Sequence, residues 1–334
     1  MNNQNHSAIP AREQRERRKT QILMAICLVF GLLVLTFVTL LITNIVNAIA
    51  DRTPDEPDTP PVEQPDDIPD EPELPEEPQE PEVPLFTTLP CSTAAIHEGP
   101  LVLVNASHVY TFPANNGHMV NIYQELINSQ TYSKYFSPVS AQLLMDRTAY
   151  QAMNKMLTAF SEQSGLGNAI VVADAYRSYE QQAAKNSSTK AGYSDHHTGL
   201  LCTLNVNGGN EVKNVAPYDW IYQNCHKYGF IVRYPADKAS VTGVSNYEEC
   251  FRYVGAAHAY AMKTGNLCLE EYLTSLRAYT KDAPLSVTTE DNATYEIYYV
   301  AAVGTETAVP VPTDATYTVS GDNEGGFIVT VKRS

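Results

Sequence analysis

Between Ile22 and Ala50 the chain has no charged side chain, over 29 positions. The next stretch, residues 51–84, lacks cations and apolar faces: Arg52 stands alone against fourteen acids. The whole chain of 334 residues is short of positive charge, with 22 Lys and Arg against 38 Asp and Glu and a net charge of −16. Each shortage excludes something. A cation-poor chain is not built to hold nucleic acid. A charge-free run of this length exceeds the ~20 residues a membrane-spanning helix needs. It also exceeds the ~7–15 apolar residues of a cleaved signal peptide. The expectation is a single transmembrane helix over 22–50.

What is present orients that helix. Residues 1–21 carry Arg12, Arg15, Arg17, Arg18 and Lys19 against Glu13 and Glu16. Positive charge stays on the cytoplasmic side, so this tail is expected inside the cell membrane and the bulk of the chain outside. Residues 51–85 are expected to form a disordered Pro/Glu-rich linker. The eleven prolines within 51–84 prevent a helix, and like charges extend a polyproline conformation to roughly 3.1 Å per residue.

From about residue 86 the composition is globular. Leu101–Asn105 and Ala169–Ala173 read as short buried strands. Ala149, Met153, Met156, Leu157 and Phe160 recur at helical spacing and predict a helix over 143–163, ended by Gly165. Residues 217–229 read as a helix stopped by Gly229, followed by the strand Phe230–Pro235. A last helix is expected from Asn266 to about Tyr279. Beyond Pro284, Thr294–Val300, Thr316–Val319 and Phe327–Val331 are strand-like, and Gly321–Gly326 is a hairpin turn. Residues 284–334 are therefore expected as a small C-terminal β appendage. Outside the apolar run the cysteines number five, Cys91, Cys202, Cys225, Cys250 and Cys268, and Cys202 is expected to be a free core thiol.

Four ordered segments carry a resemblance. They are Ala175-Tyr176-Arg177-Ser178 with Gln182; Ser194-Asp195-His196-His197-Thr198-Gly199 running on to Thr203; the helix–strand pair Pro217–Pro235; and Tyr247-Glu248-Glu249-Cys250 before Arg252-Tyr253-Val254-Gly255. Together they resemble the VanY-type D-alanyl-D-alanine carboxypeptidases, zinc peptidases that act on cell-wall peptides. The resemblance covers roughly 95–283 and implies an α+β fold over 86–283, a small antiparallel sheet flanked by helices (VanY/hedgehog-like).

It also implies roles. Arg177 and Ser194 fall at substrate-binding positions. His196 falls at a zinc ligand. The family's Asp and second His ligands correspond to Thr203 and Cys250, and its catalytic Glu to Tyr247. No residue is thus assigned a catalytic role, and His196 reads as a vestigial ligand. A threonine hydroxyl is a poor zinc donor, and a tyrosine with an ordinary pKa near 10 is a poor base at neutral pH. The reading is a membrane-anchored pseudoenzyme that binds peptidoglycan stem peptides, with zinc only if the site works. Three alternatives stand beside it. One is an active zinc D,D-carboxypeptidase, with Cys250 as ligand, Asp195 standing in for the third ligand and Glu248 or Glu249 as base. Another is a Cys250–His196 nucleophile pair. The last is a non-enzymatic interaction module using 284–334. His197 is expected to be structural.

Overall fold

The structure, a computed structural model, describes residues 85–333 apart from 116, 186, 207–212 and 246. The expected cytoplasmic tail, transmembrane helix and nearly all of the linker lie outside the described residues. Among the described residues no helix is long and apolar enough to cross a membrane.

In chain order the elements are β1 (Phe86–Ser92), β2 (Met119–Asn121), α1 (Ile122–Asn128), β3 (Phe136–Pro138), β4 (Leu144–Asp146), α2 (Arg147–Ser164) and β5 (Ile170–Asp174). There follow α3 (Tyr179–Ala184), β6 (Leu201–Val206), α4 (Asp219–Asn224), β7 (Phe230–Val232), α5 (Ala239–Thr242) and β8 (Cys250–Tyr253). The chain closes with α6 (Ala256–Gly265), α7 (Leu269–Leu276), β9 (Leu285–Thr288), β10 (Thr294–Ala301), β11 (Glu306–Pro312), β12 (Thr316–Gly321) and β13 (Gly326–Lys332).

Helix α2 is the main support of the central sheet. Its buried face is the predicted row Ala149, Met153, Met156, Leu157 and Phe160. It starts later than its apolar spacing suggests, because residues 144–146 pair with β2 instead. The carboxylate of Asp146 then caps it, accepting from Thr148 N (2.8 Å) and Ala149 N (3.0 Å). Gly165, at φ 69°, ends it in the left-handed conformation.

The fold is α+β, as expected, but the central sheet is mixed. Its order is β3-β5-β6-β8-β7, with β3 and β5 parallel and the remaining pairs antiparallel. The parallel pair follows from the connection: helix α2 lies between β3 and β5, and a helical crossover returns the chain in the same direction.

Leu101–Val104 are buried but form no ladder, contrary to the expected strand. Their backbone groups go elsewhere. Arg252 Nη2 donates to the carbonyls of Pro100 (3.0 Å) and Val102 (3.2 Å), Leu101 N donates to Ser320 Oγ (3.0 Å), and Leu103 N to Asp322 O (3.0 Å). Residues 284–333 are β-rich: β9, β10, β12 and β13 form the four-stranded sheet β12-β13-β10-β9, while β11 lies in a separate two-stranded ribbon. They do not stand apart. Strand β1 pairs antiparallel with β11, from Phe86↔Pro312 to Ser92↔Glu306, and its Phe86 and Leu89 join a core with Val309, Val311, Phe327 and Val331. A second core joins Ile297 and Ile328 to Met262, Tyr272 and Leu273 of α6 and α7.

Candidate functional site

The Tyr-Arg-Ser and Ser-x-His segments lie some 20 residues apart in sequence and are stitched together by three hydrogen bonds. Arg177 N donates to His196 O (3.2 Å), His196 Nδ1 to Ala175 O (2.6 Å), and His197 Nδ1 to Arg177 O (2.7 Å). The turn Asp195–Thr198 that carries both histidines is a short 3₁₀ helix ended by Gly199 at φ 69°. The left-handed conformation favours glycine here, and an added side chain would also have to displace the flexible end of Met119.

The carbonyl bond fixes the tautomer of His196: Nδ1 carries the proton and Nε2 keeps its lone pair. Burial, then the Arg177 charge, push this imidazole down to about 4, so it is neutral at pH 7. His197 is fully buried and accepts from Gly192 N at Nε2 (3.0 Å), with the Phe112 ring 4.8 Å away. It holds the turn and the 190–192 loop together, the structural role expected of it.

Arg177 lies at the edge of the site, with its side chain 15% exposed. Its Nε (3.0 Å) and Nη2 (2.5 Å) grip Asp174 Oδ2, and Nη1 donates to Gln182 Oε1 (2.7 Å). A guanidinium has five N–H donors, so one remains on each terminal nitrogen. Lys185 reaches the same Asp174 oxygen at 2.7 Å. Burial alone would raise the Asp174 carboxyl, but the Arg177 and Lys185 contacts and the His196 ring hold it at about 2. Asp174, Arg177 and Lys185 together carry one net positive charge. Sequence reasoning passed over Asp174 and Lys185; the signal available was an acid directly before the Ala-Tyr-Arg turn.

Ser194 N-caps the histidine turn, is 4% exposed and makes no capping hydrogen bond through its hydroxyl. Asp174, Thr203 and Cys250 are direct partners across β5, β6 and β8, so they form one row on the sheet. The Thr203 hydroxyl and the Cys250 thiol lie 3.5 Å apart. Burial pushes this thiol up to about 12, so it is a thiol and not a thiolate at neutral pH. That state does not suit a nucleophile paired with His196. Tyr247 is 55% exposed.

The substitutes for a rebuilt metal site are largely engaged elsewhere. Asp195 is fully buried between two arginines: Arg233 Nε donates to Oδ2 (2.5 Å) and Arg252 Nη1 to Oδ1. Glu270 joins the network at Arg233 Nη1 (3.0 Å) and Nη2 (2.8 Å). Glu248 is buried, pairs with Lys213 and accepts from Ala236 N (3.0 Å). Glu249 is near enough for its charge to act on Cys250. The donors at the three zinc positions are thus one imidazole, one alcohol and one thiol, which a metal would have to deprotonate. With the alcohol of Thr203 in place of the third imidazole, carboxylate or thiolate, the set does not fit a catalytic zinc. Among the described residues no group of three or more His, Cys, Asp or Glu side chains is arranged to hold a metal.

Known proteins place the chain. The sequence profile of VanY, D-alanyl-D-alanine carboxypeptidase, matches residues 142–256, which include Arg177, His196, Thr203 and Cys250. A D-alanyl-D-alanine carboxypeptidase of Enterococcus faecium is 32% identical over 245 residues, 71% of this chain and 76% of the relative. The crystal structure of the vancomycin-resistance D,D-dipeptidase VanXYg, in complex with a D-Ala-D-Ala phosphinate analogue, is 26% identical with a TM-score of 0.64. That match covers 75% of this chain and all of the other. A further relative, the D,D-pentapeptidase VanY of a VanB-type resistance cassette, was solved with Zn(II); it is 28% identical, covers 52% of this chain and 98% of its own, and has a TM-score of 0.38. The chain belongs to the VanY family of D-alanyl-D-alanine carboxypeptidases.

Proposed function

We propose that this protein is a membrane-anchored, wall-facing VanY-family pseudoenzyme that binds peptidoglycan stem peptides by their terminal carboxylate and does not hydrolyse them. The observation that carries the proposal is the donor set His196, Thr203 and Cys250. Hydrolysis in this family needs a metal to acidify water and a carboxylate to take its proton. At the corresponding positions stand an alcohol, a thiol and an exposed tyrosine, so the third zinc donor and the carboxylate base are both missing. The family's zinc does not fit these residues.

Binding rests on Arg177. Its two remaining N–H groups suit a carboxylate, and the net positive charge of the Asp174, Arg177 and Lys185 cluster favours an anion. The VanXYg relative holds a D-Ala-D-Ala analogue, which supports the same class of ligand here. The anchor is read from the charge-free run 22–50 and the basic tail before it.

The test is calorimetry of the full chain with a pentapeptide ending in D-Ala-D-Ala, together with a mass-spectrometric assay of D-alanine release in added zinc. Binding without release, weakened ~10–100-fold by Arg177→Ala, is the expected result for a charge-assisted contact. Release that a chelator abolishes would sink the proposal.

A further inference from the structure

A cavity of about 1020 Å³ opens on the side of the molecule where the 110–118 loop, α6 and the C-terminal strands meet. It is lined by none of Arg177, His196, Thr203 and Cys250. Four aromatic rings face it, Tyr110, Phe112, Tyr253 and Tyr295, with two carboxylates, Asp146 and Glu98. No lysine or arginine lines it. The nearest guanidinium, Arg252, is fully buried behind the Pro100 and Val102 carbonyls and is engaged by Asp195.

We infer that this cavity is a second binding site, separate from the residues around Arg177 and His196, and that it takes an aliphatic ammonium group. Asp146 is central to it. One of its oxygens caps α2, and the other has no side-chain or backbone partner among the described residues. Its charge acts on both Tyr110 and Tyr253, whose hydroxyls are raised by burial first and by this carboxylate among other groups, so acid and rings converge. Tyr110 and Phe112 meet edge to face with centroids 4.9 Å apart and form one wall.

The charge pattern selects the ligand. An anion would face two carboxylates with no lysine or arginine on the wall, its only basic groups being the imidazoles of His97, His118 and His258. A purely apolar guest would strip water from Asp146 without replacing its hydrogen bonds. An ammonium group gains a charge-assisted hydrogen bond from the carboxylate and attraction from the ring faces. His258, at the back of the cavity, is spoken for, with Tyr272 Oη and Thr330 Oγ1 each 2.8 Å from its ring nitrogens.

Such an ammonium can belong to a free diamine or to a lysine side chain in a peptide. The experiment is calorimetry of the full chain at low salt with cadaverine, with Nα-acetyl-lysine N-methylamide, and with 1,5-pentanediol as the uncharged control. At least one amine should bind one-to-one and the diol should not. Cadaverine alone would identify a free diamine, and the lysine amide alone a peptide side chain. Asp146→Asn should weaken binding at least ~10-fold while keeping the helix, because asparagine caps as well as aspartate. Tyr253→Leu should weaken it too, and Arg177→Ala should leave it unchanged. No saturable binding of either amine, equal binding of the diol, or an unaltered affinity in Asp146→Asn would each overturn the inference.

Discussion

Asp195→Asn tests whether the acid beside His196 is a structural anion. Its carboxylate receives Arg233 and Arg252, and all three side chains are completely buried. The amide that replaces it keeps one acceptor and turns an NH2 group towards a guanidinium that needs an acceptor. Arg233 retains Glu270, but Arg252 keeps only backbone carbonyls. Breaking a buried pair from one side costs about 3–5 kcal/mol, because the remaining charge is left desolvated. Total stability is about 5–15 kcal/mol for a typical domain, so this is a large fraction. For a unit of this size each kcal/mol lowers Tm by ~2–4 °C, giving an expected fall of roughly 6–20 °C. Thermal melts and urea titrations by circular dichroism, on the parent and variant side by side, read this directly. Glu270→Gln serves as the control: its side chain is 12% exposed, and its loss should cost about 1–2 kcal/mol. A loss below ~1 kcal/mol in Asp195→Asn would refute the reasoning and free Asp195 for another role.

Three further outcomes are expected. Gly199→Ala should destabilise by about 1–2 kcal/mol in urea titration, mainly from left-handed strain; a neutral variant would mean the turn relaxes freely. His258 is buried and held at about 3, so it must charge on unfolding in acid. Its folded pKa lies below its unfolded one, so stability is full above about pH 6.5 and falls as pH drops towards 3, by at most ~1.4 kcal/mol per pH unit. His258→Gln should remove that component of the slope, which pH-dependent melts would detect. Finally, Thr203→Asp combined with Cys250→His should create a zinc site with His196 that binds at least ~100-fold tighter than the parent by competition with a chromophoric chelator. Unchanged zinc affinity would show that the sheet row no longer presents these positions to one point.

Local features of the fold were legible because their causes are local. The apolar row of α2, the stop at Gly165, the turn at Gly229 and the hairpin at 321–326 all depend on neighbours a few residues away. The strands β1 and β11 were illegible for a clear reason. They contain Pro90, Pro310 and Pro312, which read as breakers, yet each is tolerated in a two-stranded ribbon whose outer edge needs no donor. Leu101–Val104 looked like a strand by composition, but its carbonyls are satisfied by arginines some 130–150 residues downstream. The site shows the same division. Arg177, Ser194, His196, Thr203 and Cys250 were picked out through the family resemblance of their segments, and the fold gathers Arg177 and Ser194 around His196, and Thr203 against Cys250. Asp195 looked like a spare ligand only because its partners, Arg233 and Arg252, lie 38 and 57 residues away. Asp174 stands three residues before Arg177 and could have been read locally, whereas Lys185 carries no motif and is joined to Asp174 only by the fold.

The pairing of β1 with β11 has a mechanical side. Any tension on the chain upstream of Phe86 enters the described fold at the first residue of β1. That strand belongs to a two-stranded ribbon beside the C-terminal sheet, not to the five-stranded sheet that carries His196 and Cys250. A pull along β1 loads its seven-residue ladder in shear, against Val309 and Val311 in a packed core. Under the proposed anchoring, the ribbon would meet such a force before the five-stranded sheet does, which would make it a strain relief for the geometry around Arg177.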